Sequence, residues 1–126
     1  MVYLALSKHA ADNTNCVQLI WRGGTGWGTG VTEINKHKIF PSYIKLVRMG
    51  NVFSAYWSRD GENWELVGAE MIDNINQNCY IGLAVSAENS DRFTGAVFSD
   101  VTINNIPEPA VLGLAGLIAS FFFRKR

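Results

Sequence analysis

Short runs in which apolar and polar side chains alternate make up most of the chain. In residues 16–22, for example, Val17, Leu19 and Trp21 fall on one face and Gln18 and Arg22 on the other. This period of two residues is typical of a β-strand that buries one face. We predict such strands over residues 2–7, 16–22, 43–49, 52–58, 64–67, 79–86 and 94–103.

Turn-forming residues separate these runs. Gly50-Asn51 and Asp60-Gly61 stand at two predicted chain reversals, where a positive φ must be tolerated. We expect the Asp60 carboxylate to accept backbone N–H bonds across its turn. Residues 23–30 form a glycine-rich loop, and residues 31–40 are ambiguous between strand and loop. Twelve Gly, seven Phe, four Tyr and four Trp favour an all-β protein with many turns. We therefore predict an antiparallel β-sandwich or jelly roll over residues 1–103.

The C-terminal end has a different pattern, in three parts. Pro107, Glu108 and Pro109 precede an apolar run that extends to residue 123, and Arg124, Lys125 and Arg126 close the chain. We predict that the run forms a hydrophobic helix of about 22 Å, which is short for a bilayer core of about 30 Å. The basic end predicts a cytoplasmic C-terminus, with the body of the protein outside the inner membrane. The residues expected to contact lipid are Ala110, Val111, Leu112, Leu114, Leu117, Ile118, Phe121, Phe122 and Phe123.

This tail resembles the PEP-CTERM sorting signal of Gram-negative bacteria, because all three parts stand in the same order. The resemblance implies that an exosortase-type membrane transpeptidase recognises Glu108 between its two prolines and cuts near it. The two prolines would hold that recognition site extended. The protein would then pass from the inner membrane to the cell surface or an exopolysaccharide matrix. Residues 104–126 are thus a linker followed by a sorting and anchor segment, and the alternative is a permanent tail anchor.

The body carries a second resemblance, to concanavalin A-like domains of the laminin-G and glucanase type. It lies in residues 43–67, IGLAVSAENS and TGAVFSDVTI, which match framework positions of that fold. The resemblance covers residues 1–103 and implies that several strands of the full fold are missing. No basic, apolar export signal begins the chain at Met1, so we expect a truncated N-terminus.

The carboxylates do not form a recognisable catalytic motif. Glucanase relatives use Glu-x-Asp-x-x-Glu on one strand, where two acids can act as nucleophile and acid/base, and this spacing does not occur here. We therefore expect a non-catalytic module with a binding or structural role, for which glycans are the candidate ligand. The alternative is a glycoside-active enzyme whose acids lie in a missing N-terminal half. Trp27, in the middle of the glycine-rich loop, is the candidate ligand contact, because an indole can stack on a sugar.

The remaining candidates concern cysteines, metals and nucleic acid. Cys16 and Cys79 are either a disulfide of an exported protein or two thiols. Calcium is a candidate cofactor on ligand type alone, and otherwise no cofactor is expected. Zero formal net charge, with no basic cluster outside the tail, argues against a nucleic-acid partner. The oxygen-donor clusters considered for calcium are Asp12, Asn13 and Asn15, and Glu88, Asn89 and Asp91.

Overall fold

The computed structural model describes residues 1–8, 14–87, 91, 93–106 and 116–125, and within them the protein is all-β without a helix. The strands are β1 (Val2–Lys8), β2 (Asn15–Trp21), β3 (Gly30–Asn35), β4 (Ser42–Met49), β5 (Val52–Ser58), β6 (Glu65–Met71), β7 (Ala96–Ile106) and β8 (Gly116–Lys125).

The strands form two antiparallel sheets. One has three strands in the order β1-β2-β3, and the other has five in the order β6-β5-β4-β8-β7. The two reversals predicted within the second sheet are confirmed: Gly50 and Gly61 both adopt positive φ, 59° and 81°. A β-bulge between Ala55 and Tyr56 shifts the β5–β6 register. It places both Val67 and Gly68 among the buried residues.

One hydrophobic core joins the two sheets. Val17 and Leu19 of β2 are completely buried, as the alternating pattern predicted. They belong to one cluster with the inward side chains of the second sheet. The indole N–H of Trp57, within this core, donates to Ser42 Oγ at 2.8 Å, so its burial leaves no unsatisfied donor. The other members of the cluster are Ile39, Ile44, Ala55 and Val67.

The prediction of a strand over residues 79–86 was wrong. The segment does not pair with any strand in the part of the chain that the structure describes. Its large apolar side chains are exposed, among them Tyr80, Leu83 and Val85, so neither face of the segment is buried as the alternating pattern predicted. A strand needs a hydrogen-bonded neighbour as well as a pattern, and this run lacks one. The ambiguous run 31–40, by contrast, contributes its first half to β3.

The predicted C-terminal helix is not found in its described part. Residues 116–125 form β8, which pairs with β4 on one side and β7 on the other. Isoleucine and phenylalanine favour strands, and this segment contains Ile118 and three phenylalanines at 121–123. Between the edges of β4 and β7, its backbone N–H and C=O groups find hydrogen-bond partners on both sides. Among the described residues, no helix has the length and apolar character needed to cross a membrane. Residues 110–115 of the predicted segment lie outside the described residues.

Candidate functional surfaces

The outer face of the second sheet carries a lysine between two aromatic rings. Lys45 of β4 has its Nζ 4.0 Å from the ring centroid of Trp64 and 5.0 Å from that of Tyr56. All three side chains are half-buried. Burial lowers the pKa of Lys45, because the ammonium loses part of its hydration. We call Lys45, Tyr56 and Trp64 the aromatic–lysine patch.

The local fold explains how the patch is assembled. The tight turn between β4 and β5 sets a register in which Lys45 lies directly opposite Tyr56. Paired residues point to the same face of a sheet and are neighbours there. Trp64 comes from the turn that precedes β6, and that turn is organised around Asp60.

Asp60 holds its turn through a set of short hydrogen bonds. Its Oδ1 accepts the backbone N–H groups of Glu62 and Asn63 at 2.9 and 2.8 Å and the Ser58 hydroxyl at 2.9 Å. Its Oδ2 accepts the side-chain amide of Asn63 at 2.7 Å. These donors, the Asn63 amide first, lower the pKa of Asp60 well below its ordinary value. The expected role of this aspartate, accepting N–H bonds across the turn, is confirmed.

Asp60→Asn should therefore destabilise the protein in a pH-dependent way. The folded pKa lies below the unfolded one, about 3.9, so the contribution is complete above that value and is lost as the pH falls toward the folded pKa. We expect the variant to have a lower urea midpoint than wild type at pH 7, with the gap narrowing by about pH 3. Glu62→Gln, an exposed neighbour on the same turn, is the matched control and should change little. A gap independent of pH would contradict the charge-assisted role.

A second lysine makes a useful contrast. Lys36 Nζ lies 4.6 Å from the ring centroid of Trp57, and the same ammonium forms an ion pair with Glu65. Tyr56 and Trp57 are successive residues of β5, so their rings leave opposite faces of the sheet. The charge of Lys36 is thus paired with the Glu65 carboxylate, whereas Lys45 has neither an ion pair nor a hydrogen bond in the described part of the chain.

A groove of about 1600 Å³ opens along β1 and the inner face of β4. Its opposite wall is the unpaired segment 79–87, and most of its lining is apolar. This volume exceeds the roughly 300–1000 Å³ of typical small-molecule pockets. No aspartate or glutamate occurs among the described lining residues. Arg48 of β4 also lines the groove. Its side chain is buried, with 8% exposed, and it donates hydrogen bonds to three backbone carbonyls.

The structure places the predicted ligand contact, Trp27, on an exposed loop. Its side chain is 64% exposed, and the backbone N–H of Trp27 donates to the carbonyl of Gly24 at 3.3 Å. The ring lies against Gly23 and Gly24, where an added Cβ would come within 3.3 Å of it. One ring face is therefore occupied by the loop itself, and ligand contact by Trp27 stays a prediction.

Of the two alternatives for the cysteines, the structure has two thiols rather than a disulfide. Cys16 is fully buried on β2, with its sulfur 3.3 Å from the Ser7 hydroxyl oxygen. Cys79 is exposed in the unpaired segment. A pattern in one dimension does not report the Cα separation on which a disulfide depends.

The candidate calcium residues fall partly outside the described residues. Four of them lie outside the described residues: Asp12, Asn13, Glu88 and Asn89. The side-chain amide of Asn15 donates to the carbonyl of His37 at 3.0 Å. Within the described ranges, no three His, Cys, Asp or Glu side chains are placed to hold a metal ion.

The sorting motif Pro107, Glu108 and Pro109 also lies outside the described residues, as does Arg126. Arg124 and Lys125 belong to β8, whose backbone alone is described there.

Sequence reasoning missed the aromatic–lysine patch, although the pairing of Lys45 with Tyr56 could have been predicted from the turn. The Gly50-Asn51 turn pairs Met49 with Val52, and counting outward from that pair sets Lys45 opposite Tyr56. The approach of Trp64 depends on the path of the Asp60 turn and had no signal in the alternating pattern.

A comparison of the chain with known protein families, curated proteins and solved structures found no match.

Proposed function

We propose that this chain is an exported, surface-displayed β-protein whose tail is a PEP-CTERM-type sorting signal. The body is a non-catalytic module of the concanavalin A-like sandwich class that binds glycans. The tail delivers the module through the inner membrane to the cell surface or exopolysaccharide of a Gram-negative bacterium. A partner transpeptidase of the exosortase type performs the cleavage.

The observation that carries the proposal is the order of the three parts of the tail. A Pro-Glu-Pro strip, an uncharged apolar run and a terminal basic triplet follow one another without interruption from Pro107 to Arg126. The basic triplet favours retention of the C-terminus on the cytoplasmic side. The carboxylate between two prolines gives a stiff, extended strip for a partner enzyme to read.

The fold of the body is compatible with this class. Two antiparallel sheets packed on a single core are what a sandwich domain requires. The partially covered groove along β1 suits a domain whose complete form contains further strands.

Anchoring requires the C-terminal segment to leave the sheet. As β8 it satisfies its backbone through β4 and β7, whereas inside a bilayer a lone segment must satisfy it within a helix. We propose that the paired strand and the membrane helix are alternative states of the same residues. Membrane insertion would then expose the facing edges of β4 and β7.

The test is intact mass spectrometry of the mature protein, recovered from an exosortase-bearing host that expresses the full-length gene. We expect a surface species that lacks everything after the Pro-Glu-Pro strip. Glu108→Ala should accumulate uncut in the membrane, while Glu88→Ala, a change outside the tail, should be processed like wild type. Uncut wild-type protein held in the inner membrane would overturn the sorting proposal and identify a permanent tail anchor.

A further inference from the structure

The aromatic–lysine patch contains a positive charge without a counter-ion. Lys45 forms neither an ion pair nor a hydrogen bond with any described residue, although two aromatic rings remove part of its hydration. A partly desolvated ammonium interacts more strongly with an added anion than a fully hydrated one does, because less water screens the pair. The Lys36 ammonium, on the other face of the sheet, is paired with Glu65.

Acids close to the patch in sequence do not supply the missing anion. The Asp60 carboxylate already accepts four hydrogen bonds within its turn, and that of Glu65 is taken by Lys36. Glu62 is exposed on the turn. An ammonium has three donors, and no oxygen of a described residue accepts from those of Lys45. An anionic ligand would provide both the charge and the acceptor.

The shape of the surface selects among anionic ligands. Lys45 and Tyr56 lie in a row with Leu66 of β6 that crosses three strands over about 10 Å, and none of these residues belongs to the tail that processing removes. This is an open sheet face, which suits an extended polymer rather than an enclosed small molecule. Strand β5 is paired on both sides, with β4 and β6, so a peptide cannot add as a further strand beside Tyr56. A single lysine also falls short of the several cations that a nucleic acid requires.

We infer that this outer face binds an anionic polysaccharide of the uronate type, with Tyr56 and Trp64 against the sugar rings and Lys45 holding a carboxylate. Aromatic rings with a polar edge bind the apolar face of a sugar while their polar atoms remain in water. The ammonium supplies a charge-assisted hydrogen bond, the stronger kind in proteins. This inference rests on the proposed function, since it names the glycan class that the displayed module holds.

The experiment compares two polymers with the same sugar backbone, polygalacturonate and its methyl-esterified form, in which the carboxylate charge is removed. The full chain should bind the charged polymer about tenfold more tightly in titration calorimetry, because only the free carboxylate can accept a charge-assisted hydrogen bond from Lys45. Lys45→Met, which retains the aliphatic stem, should abolish this preference. Lys36→Met removes the other ring-stacked lysine and is the matched control that should keep it. Tyr56→Leu should weaken binding of both polymers, and thermal melting checks that each variant folds.

Several outcomes would overturn the inference. Equal affinity for the two polymers, or no affinity for either, excludes an anionic-glycan site. A Lys45→Met variant that retains the preference moves the site elsewhere, and loss of binding in Trp27→Ala would then place it on the glycine-rich loop. Tail processing is measured independently by mass. Failure of uronate binding with normal processing rejects this inference alone, and binding without processing rejects the sorting proposal alone.

Discussion

Arg48→Met should lower the free energy of unfolding by about 3 kcal/mol, because it removes three hydrogen bonds from a charged donor. Arg48 Nε donates to the carbonyl of Gly50 at 2.8 Å, and its two terminal nitrogens donate to those of Asn76 and Gln77 at 2.7 and 3.2 Å. Its guanidinium also lies 5.3 Å from the ring centroid of Phe53. The side chain thus joins the β4–β5 hairpin to the chain that leads into the unpaired segment 79–87.

Two effects compete in this substitution. Removing a buried guanidinium relieves its desolvation cost, and replacing a whole buried ionic group by apolar residues can even be stabilising. Here the three carbonyls remain, so the acceptors lose their donors without being replaced themselves. We expect the loss of hydrogen bonds to dominate, because three carbonyls lose their donor and the guanidinium contact with Phe53 is lost as well.

Urea unfolding of the full chain measures this change, and hydrogen exchange locates it. Amides in residues 74–87 should exchange faster in Arg48→Met than in wild type, because this segment loses two of its attachments to the sheet. Arg59→Met is the matched control: Arg59 is exposed and donates to the carbonyl of Lys38, so its loss should change stability little. Unchanged or increased stability in Arg48→Met would show that desolvation outweighs the three bonds.

The parts of the fold that could be predicted from sequence are those fixed by local rules. A two-residue reversal at Gly50-Asn51 sets the β4–β5 register, and alternation in β2 identifies Val17 and Leu19 as core residues. Both depend on residues close in sequence. The same reasoning reached the Asp60 turn, because an aspartate at a reversal accepts nearby N–H groups.

The failures have a common physical origin, which is the choice of strand partner. Residues 79–86 alternate like β2 but have no strand partner in the described structure, whereas residues 116–123, predicted as part of a helix, have two. Pairing between distant segments depends on which edges are open, and alternation along one strand does not record this. Contact between Trp64 and Lys45 was missed for a related reason, since the path of a turn determines it.

Gly68→Ala should lower the free energy of unfolding by about 2 kcal/mol, because a methyl group does not fit between the sheets at this point. A Cβ built on Gly68 would lie 2.7 Å from Thr32 Cγ2 and 3.0 Å from Thr32 Cβ. Thr32 belongs to β3 of the other sheet, and its branched side chain has few rotamers to choose from. Its hydroxyl donates to Glu70 Oε1 at 3.3 Å, which fixes the side chain further.

The matched partner of this substitution is Thr32→Ser, which removes the Cγ2 methyl and retains the hydroxyl. If the clash causes the loss, the double variant Gly68→Ala/Thr32→Ser should recover most of the stability, with a coupling energy of about 1 kcal/mol or more in the double-mutant cycle. Gly82→Ala is the control for glycine replacement itself, since its added Cβ would have no neighbour within 4 Å. Additive effects in the cycle would mean that Thr32 is not the obstacle. Recovery would establish that Gly68 of β6 and Thr32 of β3 are in direct contact between the sheets, because only direct contact lets the smaller residue in one sheet compensate for the larger one in the other.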